Sequence, residues 1–385
     1  MIFQRKSKSI NISKQILGTL ELIKNQIFSE FNALMSEEQA RECLKTGKLA
    51  GEEMPFAFIF APKELDEVEL KAVEQIELVF EGTAVGVIEI STIYEMKPEY
   101  EKNIFNTSQI NKCEFSKFAI SGNFELFVSE VREAKEQIQR IKREQNAKKI
   151  TAIMLTADPL NRAHERIIRM TIDQADLVVI FLLQTYQEKH LNFELRREII
   201  DYFIKRYLPE NRVVVMPFKN TNLFSAHQNP TLEYLAAYRL GSNRLVLGQN
   251  HSSLSIFYDH NQVKSILDSY VKRKDMEIVI LPELVYCNEC KTLVSTRTCP
   301  HGAHHHIRYN PNVIKTLLFQ GILPPAILVR PDISAIVLGA LFKDRFENLQ
   351  DLCHGLFVNS GLLEKHTERE FYEELMRLYQ TSSLT

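Results

Sequence analysis

The central part of the chain alternates between short apolar runs and amphipathic stretches. Five runs rich in β-branched and aliphatic residues predict strands, at Ile150–Leu155, Leu177–Leu183, Arg212–Met216, Arg244–Gly248 and Glu277–Leu281. Between them, apolar residues recur at helical spacing over residues 193–206, 231–240 and 261–271. Strands and helices that alternate in this way build right-handed βαβ units with helices on both faces of a parallel sheet. We therefore expect a doubly wound α/β domain.

The regions on either side of this domain have different patterns. About the first 125 residues contain short strand-like runs, such as Ile76–Phe80 and Ala84–Glu89, which predict a small β-rich domain. The tail contains an amphipathic helical pattern over residues 368–379. Its apolar side is expected to pack against the body of the protein or against a second subunit, which leaves a homo-oligomer open. We place the domain limits at residues 1–148, 149–285 and 286–385.

Charge and composition narrow the classes of function. The 385 residues include 47 Lys and Arg against 49 Asp and Glu, a formal net charge of −2. This balance argues against a nucleic-acid-binding surface. No apolar run approaches the roughly 20 residues that span a bilayer, and the N-terminus lacks the apolar core of a signal peptide. We expect a cytoplasmic protein that binds neither nucleic acid nor membrane.

Two loops are candidates for the functional site. Ligands of doubly wound sheets bind beyond the carboxyl ends of the strands, which here are followed by residues 156–164 and 249–259. The first loop runs into a helix with Arg162 and His164 in its first turns, and a helix N-terminus favours phosphate. Neither a P-loop nor a Gly-x-Gly-x-x-Gly motif is present.

The residues of the first loop also have a structural interpretation. By spacing alone, Asp158 and Asn161 can simply cap the helix, and His164 can pack against the sheet. In the second loop, His251 can donate to a phosphate or hydrogen-bond within the loop itself. Neither loop alone decides between these alternatives.

In order and spacing, the two loops resemble the ATP sulfurylase (sulfate adenylyltransferase) family of the nucleotidyltransferase superfamily. The family sequence Gln-Thr-x-Asn-Pro-x-His-Arg-Ala-His corresponds to Leu-Thr-Ala-Asp-Pro-Leu-Asn-Arg-Ala-His at 155–164. The family sequence Gly-Arg-Asp-His-Ala corresponds to Gly-Gln-Asn-His-Ser at 248–252. Pro324-Pro325 and Arg330-Pro331-Asp332 match further motifs, and Tyr94-Glu95 lies in a region similar to the family's PUA-like domain.

The resemblance implies transfer of AMP from ATP to sulfate or a similar small oxyanion, with release of pyrophosphate and with Mg²⁺ accompanying ATP. The catalytic residues it implies are Thr156, Asp158, Asn161 and His164. The nucleotide-binding residues it implies are Leu155, Ala157, Arg162, Gly248, Gln249, Asn250 and His251. Ser252 would lie beside the acceptor.

The chain departs from the family where anions are held. Ala157 stands in place of the arginine that holds sulfate, and Leu155 in place of a glutamine. Asp158 replaces an asparagine, Asn161 replaces the first histidine, and Lys315 replaces an arginine. Three interpretations follow: a sulfurylase with cations supplied elsewhere, a nucleotidyltransferase for a different acceptor, and a non-catalytic relative that binds nucleotide or a partner.

A cysteine and histidine cluster follows the last predicted strand. Cys287, Cys290 and Cys299 fall within 13 residues and precede four histidines, at 301, 304, 305 and 306. A Cys-x2-Cys pair with two further ligands is the usual arrangement of a structural zinc site. His304 has better reach than His301, which is only two residues from Cys299, although His301 and His305 remain alternatives. The cluster also resembles the insertion of the family's zinc-containing bacterial members, so we expect a zinc-stapled helical extension.

Overall fold

The structure is a computed structural model of the chain. It describes residues 7–54, 56–62, 67–103, 117–184, 189–219, 230–248, 257–259, 262–264, 276–357 and 365–380. The chain forms two compact units. One consists of Met1–Leu155, Gln174–Tyr186 and Asn211–Leu281, and the other of Thr156–Asp173, Gln187–Glu210 and Pro282–Thr385.

The described residues contain strands and α-helices with the following bounds. The strands are β1 (Ser7–Asn11), β2 (Lys48–Leu49), β3 (Glu52–Glu53), β4 (Gln75–Phe80), β5 (Thr83–Glu95), β6 (Phe118–Leu126), β7 (Ile150–Leu155), β8 (Leu177–Leu183), β9 (Val213–Phe218), β10 (Arg244–Gly248), β11 (Phe257–Asp259), β12 (Gln262–Lys264), β13 (Glu277–Leu281), β14 (Leu284–Cys287), β15 (Thr292–Ser295) and β16 (His306–Arg308). The helices are α1 (Lys14–Lys24), α2 (Glu37–Thr46), α3 (Glu67–Ala72), α4 (Glu130–Glu144), α5 (Arg162–Ile172), α6 (Phe193–Tyr207), α7 (Pro230–Arg239), α8 (Pro311–Phe319), α9 (Pro331–Leu341), α10 (Leu349–Leu356) and α11 (Glu368–Gln380).

The first unit begins with a four-stranded sheet in the order β1-β4-β5-β6. Strand β1 pairs with β4 in parallel, and the other pairs are antiparallel. Helix α1 is capped by Ser13, whose hydroxyl accepts a hydrogen bond from the backbone N–H of Ile16 at 3.3 Å. The strands predicted at Ile76–Phe80 and Ala84–Glu89 are confirmed as parts of β4 and β5.

The same unit contains a five-stranded parallel sheet in the order β13-β10-β7-β8-β9. Every residue of β7, β8 and β9 is buried, which explains why these strands read as continuous apolar runs instead of alternating. The predicted α/β fold with a parallel sheet is therefore confirmed. The third strand lies slightly later than predicted, at Val213–Phe218 in place of Arg212–Met216.

The prediction of a helix over residues 261–271 is wrong for residues 262–264. These residues form β12, which pairs with β11 in an antiparallel hairpin. The hairpin sequence includes Phe257, Tyr258 and Val263, which are aromatic and β-branched residue types that favour strands. The remaining residues of that predicted helix lie outside the described residues.

The second unit contains α5, α6, a three-stranded antiparallel sheet in the order β15-β14-β16, and α8 to α11. Helix α9 lies at its centre and contacts α6, α8 and α11. Residues 333–338 of α9 are buried, and α11 occupies the predicted tail pattern. Among the described residues, no helix is both long and apolar enough to cross a membrane.

Candidate functional site

The sheet order brings the starting points of the two candidate loops close together. Strands β7 and β10 are neighbours, and the chain continues from β7 towards one side of the sheet and from β10 towards the other. This is the topological switch point at which doubly wound sheets bind ligands. Leu155 and Gly248 end these strands, so the loops predicted from the sequence leave the sheet at the switch point.

The first loop lies wholly within the described residues, whereas most of the second loop does not. Gly248 is the last residue of β10 and pairs with Leu281 of β13. The residues predicted to follow it in the site, Gln249, Asn250, His251 and Ser252, lie outside the described residues. Their roles stay predictions.

Asp158 is buried and paired. Its Oδ2 lies 2.8 Å from Nζ of Lys315, and the side chains of Lys315 and Asp158 are only 4% and 5% exposed. Its Oδ1 accepts a hydrogen bond from the backbone N–H of Leu191 at 2.9 Å, and the Lys315 ammonium also donates to the carbonyl oxygen of Lys189. The negative charge that Asp158 adds to the loop is therefore neutralised by Lys315.

Asn161 and His164 cap helix α5 reciprocally. The Asn161 side-chain oxygen accepts from the His164 backbone N–H at 3.1 Å, and Nδ1 of His164 accepts from the Asn161 backbone N–H at 3.3 Å. Burial lowers the pKa of His164 to about 4, so the imidazole is neutral at pH 7. Because Nδ1 is an acceptor, the neutral ring carries its proton on Nε2. Nε2 has no hydrogen-bond partner within the described ranges, and it is a donor.

The backbone between β7 and α5 takes an unusual conformation at Ala157. This residue is fully buried and has a φ of +47°, a left-handed conformation that side-chain-bearing residues seldom adopt. The carbonyl oxygen of the preceding Thr156 accepts a hydrogen bond from Nη1 of Arg196 at 2.6 Å. Burial lowers the pKa of Arg196 to about 10, with Asp158 opposing the shift, so the guanidinium stays charged at pH 7. The Arg196 side chain thus fixes the loop through a hydrogen bond to the loop backbone.

Arg162, the first residue of α5, is tied to the segment before α9. Its backbone N–H donates to the carbonyl oxygen of Leu328 at 2.9 Å, and its Nε donates to that of Ala326 at 3.0 Å. Its Nη1 lies 3.3 Å from the buried carboxylate of Glu165. These contacts tie the start of α5 to the segment before α9, and the nucleotide-binding role implied for Arg162 stays a prediction.

Glu165 links this helix terminus to Arg330. Nε of Arg330 lies 2.9 Å from the Glu165 carboxylate, and its guanidinium stacks 3.9 Å from the centre of the Tyr207 ring. Burial raises the pKa of Glu165, and the charges of Arg162 and Arg330 oppose that shift. A further charged residue, Asp332, accepts hydrogen bonds from the hydroxyls of Tyr202 and Tyr207.

Sequence reasoning missed Arg196 and Glu165. Arg196 is fully buried on the apolar side of α6, together with Phe193, Ile199 and Phe203. The sequence contains one signal for Arg196: it occupies a position where helical spacing favours an apolar residue. A charged side chain at such a position is buried only when it has partners. No comparable pattern marks Glu165, whose arginine partner in the segment before α9 lies far away in the sequence.

A second group of side chains has the geometry of a metal site. Sγ of Cys287, Cys290 and Cys299 and Nδ1 of His301 all lie within 4.8 Å of one another. The His301 nitrogen is 3.5, 3.3 and 3.7 Å from these three sulfurs, and the Cys290 and Cys299 sulfurs are 3.9 Å apart. Ligands about 2.0 to 2.3 Å from one tetrahedral centre are about 3.5 to 3.8 Å apart. The four side chains therefore fit a tetrahedral metal ion.

The structure brings His301, in place of the expected His304, to the three thiols. His301 reaches the thiols although it is only two residues from Cys299, because the atom that faces them is Nδ1, which lies close to the backbone. The His304 ring instead packs on His305, with the ring centres 4.1 Å apart. Nε2 of His306 lies 3.3 Å from the sulfur of Cys299. His306 thus borders the cluster, whereas His301 is close to all three thiols.

Comparisons with known proteins match both the central α/β region and the N-terminal region of the chain. The profile of the ATP-sulfurylase family matches residues 129–340, and that of a PUA-like domain matches residues 3–127. A sulfate adenylyltransferase of Persephonella marina is 22% identical over 350 residues, covering 86% of this chain and 90% of that protein. One of Staphylothermus marinus is 23% identical over 360 residues, covering 88% and 91%.

Among solved structures, the chain resembles a hexameric APS kinase from Thiobacillus denitrificans with a TM-score of 0.60 and 12% sequence identity. The match covers 86% of this chain and 62% of that one. At this identity the likeness concerns the fold alone.

Proposed function

Because the chain belongs to the ATP-sulfurylase family, we propose that it transfers the adenylyl group of ATP to sulfate or a similar small oxyanion and releases pyrophosphate. The observation that carries the proposal is the orientation of His164. Its ring is fixed at the start of α5 by the cap with Asn161, with Nδ1 as acceptor and Nε2 as donor. A fixed neutral donor at a helix N-terminus is suited to a phosphate oxygen.

The chemistry requires positioning and charge stabilisation. An acceptor oxygen attacks the α-phosphorus in line, a new P–O bond forms, and the bond to the bridging oxygen of pyrophosphate breaks with its electron pair. Negative charge grows on the departing pyrophosphate, where a hydrogen bond from Nε2–H of His164 becomes stronger. Mg²⁺, which accompanies ATP, neutralises part of the phosphate charge when bound. Arg162 and Arg196 keep the loop and the helix terminus in place.

A second candidate acceptor follows from the loop itself. Leu155 is 7% exposed and Ala157 is fully buried, so neither offers a polar contact to a sulfate. Lys315 is committed to Asp158 and to a backbone carbonyl. Because neither side chain supplies an anion contact and Lys315 is already paired, AMP transfer to a different acceptor, such as an organic acid, is the alternative.

Exchange of labelled pyrophosphate into ATP tests the proposal directly. We expect the purified full chain with Mg²⁺ to incorporate label when sulfate is added and to show only background incorporation without it. Incorporation that depends on an organic acid and not on sulfate would favour the alternative acceptor. If ATP raises the melting temperature and no acid supports exchange, the chain is a non-catalytic nucleotide binder.

We further propose that the Cys287, Cys290, Cys299 and His301 cluster holds a structural zinc ion. Three thiolates and one imidazole close the coordination shell, as in structural rather than catalytic zinc sites. The ion would join β14, which ends at Cys287, to the turn that carries Cys299 and would stabilise the β14–β16 sheet.

Replacing single histidines tests the ligand set. We expect His301→Ala to weaken zinc binding by more than about a hundredfold, since loss of even an outer partner of a ligand costs about 10- to 100-fold. His304→Ala is the matched control and should retain one zinc per chain, measured by metal analysis after dialysis against a weak chelator. The opposite pattern would assign the fourth ligand to His304.

A further inference from the structure

The second unit contains a cavity that no part of the proposed reaction uses. It encloses about 680 Å³ between the segment Gly321–Ala326, the start of α9 and helix α11. Most of its lining is apolar and includes Phe346, Phe371, Leu375 and Met376. The volume lies within the range of about 300 to 1,000 Å³ that holds small-molecule ligands.

One positive charge borders this apolar cavity. The Arg345 guanidinium lies against Gly321, where a Cβ atom would come within 2.5 Å of Nη1, and this glycine has a φ of +74°. The guanidinium also lies 5.0 Å from the ring centre of Phe342 and 5.9 Å from that of Phe346. Within the described residues it forms no ion pair, and the Glu368 carboxylate accepts from the Arg345 backbone N–H instead. The guanidinium therefore has free donors at the edge of an apolar space.

A second polar group belongs to the same cavity wall. Tyr372 is 4% exposed, and its hydroxyl has no hydrogen-bond partner within the part of the chain that the structure describes. A buried hydroxyl of this kind is destabilising unless it is hydrogen-bonded. Its oxygen has almost no accessible surface, so the ring of Tyr372, and not its hydroxyl, lines the cavity. Among the described residues, the lining combines apolar side chains with the single cation Arg345, which is complementary to an organic acid.

We propose that this cavity binds a small carboxylic acid whose aromatic or aliphatic body fills the apolar space and whose carboxylate pairs with Arg345. The planar guanidinium can hold a carboxylate through two parallel hydrogen bonds. The rings of Phe346 and Phe371 face the body of the ligand. The site is separate from the loop between β7 and α5, and it does not depend on the function proposed for that loop.

Calorimetry with a matched pair of probes tests the site on the full chain. Naphthaleneacetate and naphthaleneacetamide share one apolar body and differ in charge. We expect saturable binding of one naphthaleneacetate per chain and binding of the amide at least about tenfold weaker, because hydrogen bonds to charged groups are the stronger ones. Absence of saturable binding of the acid would overturn the proposal.

Two test variants and one control variant locate the binding. Arg345→Met should remove the advantage of the acid over the amide, whereas Lys343→Met, which changes a nearby exposed cation that does not line the cavity, should leave it unchanged. Leu375→Trp fills the cavity and should weaken both probes, with melting curves used to show that each variant is folded. An acid-to-amide ratio that is the same in Arg345→Met as in the unchanged chain would overturn the proposal.

Discussion

Replacing His164 by asparagine is expected to slow pyrophosphate exchange by at least about a hundredfold, the usual effect of removing one donor that stabilises transition-state charge. The asparagine oxygen takes the position of Nδ1 and keeps the hydrogen bond from the Asn161 backbone N–H. The donor at the Nε2 position is lost. Glutamine at the same position places its amide nitrogen near Nε2 and is also a favoured capping residue, so His164→Gln should lose less activity.

Stability separates this role from a purely structural one. Both variants should unfold at nearly the same urea concentration as the unchanged chain, because the cap is kept in each. If His164→Asn exchanges pyrophosphate at the unaltered rate, the imidazole is only a cap and the proposed role is wrong.

The pH dependence has a definite sign. The folded pKa of His164 is about 4 and the unfolded one is about 6.5. Its contribution to stability is therefore fully present above about pH 6.5 and declines as the pH falls towards 4, where the unfolded chain binds the extra proton. Unfolding curves of the unchanged chain and of His164→Gln should diverge over this acid range and run parallel above it.

The sequence pattern predicts the strands of the parallel sheet but not the contacts of the loop between β7 and α5. Buried parallel strands such as Leu177–Leu183 are apolar on both faces, so local composition alone reveals them. A helix was predicted where β12 lies because a short stretch with few apolar residues fits the helical and the strand spacing equally well. The candidate metal site was predictable from its Cys-x2-Cys pair, whereas the position of His301 beside the thiols depends on the orientation of its ring.

The loop chemistry depends on long-range partners that spacing does not reveal. Asp158 and Lys315 are 157 residues apart, and each looked like a separate departure from the family. The structure shows that they are one feature, because the added negative charge and the remaining positive charge neutralise each other. Arg196, which belongs to a different helix, supports this loop through its hydrogen bond to the Thr156 carbonyl oxygen.

Lys315→Met is expected to reduce the free energy of unfolding by about 3 kcal/mol, the lower end of the range for breaking a buried ion pair. The reason is the carboxylate of Asp158, which would stay buried without its ammonium partner. The lower end applies because the charge of Arg196 also acts on Asp158. Urea unfolding at pH 7 measures the change. The surface pair of Arg197 and Asp201 provides the control, and Arg197→Met should cost less than about 1 kcal/mol.

The double variant Asp158→Asn with Lys315→Met decides whether the pair is structural or catalytic. Removing both charges leaves no unpaired ion, so most of the lost stability should return, with a coupling energy of about 1 to 3 kcal/mol in the cycle. The amide oxygen of the introduced asparagine can still accept the hydrogen bond from the Leu191 backbone N–H and keep the loop in place. If the pair is structural, the double variant should exchange pyrophosphate at a rate near that of the unchanged chain. A stable double variant without exchange activity would instead place the Asp158 carboxylate in the chemistry, as the family resemblance implies.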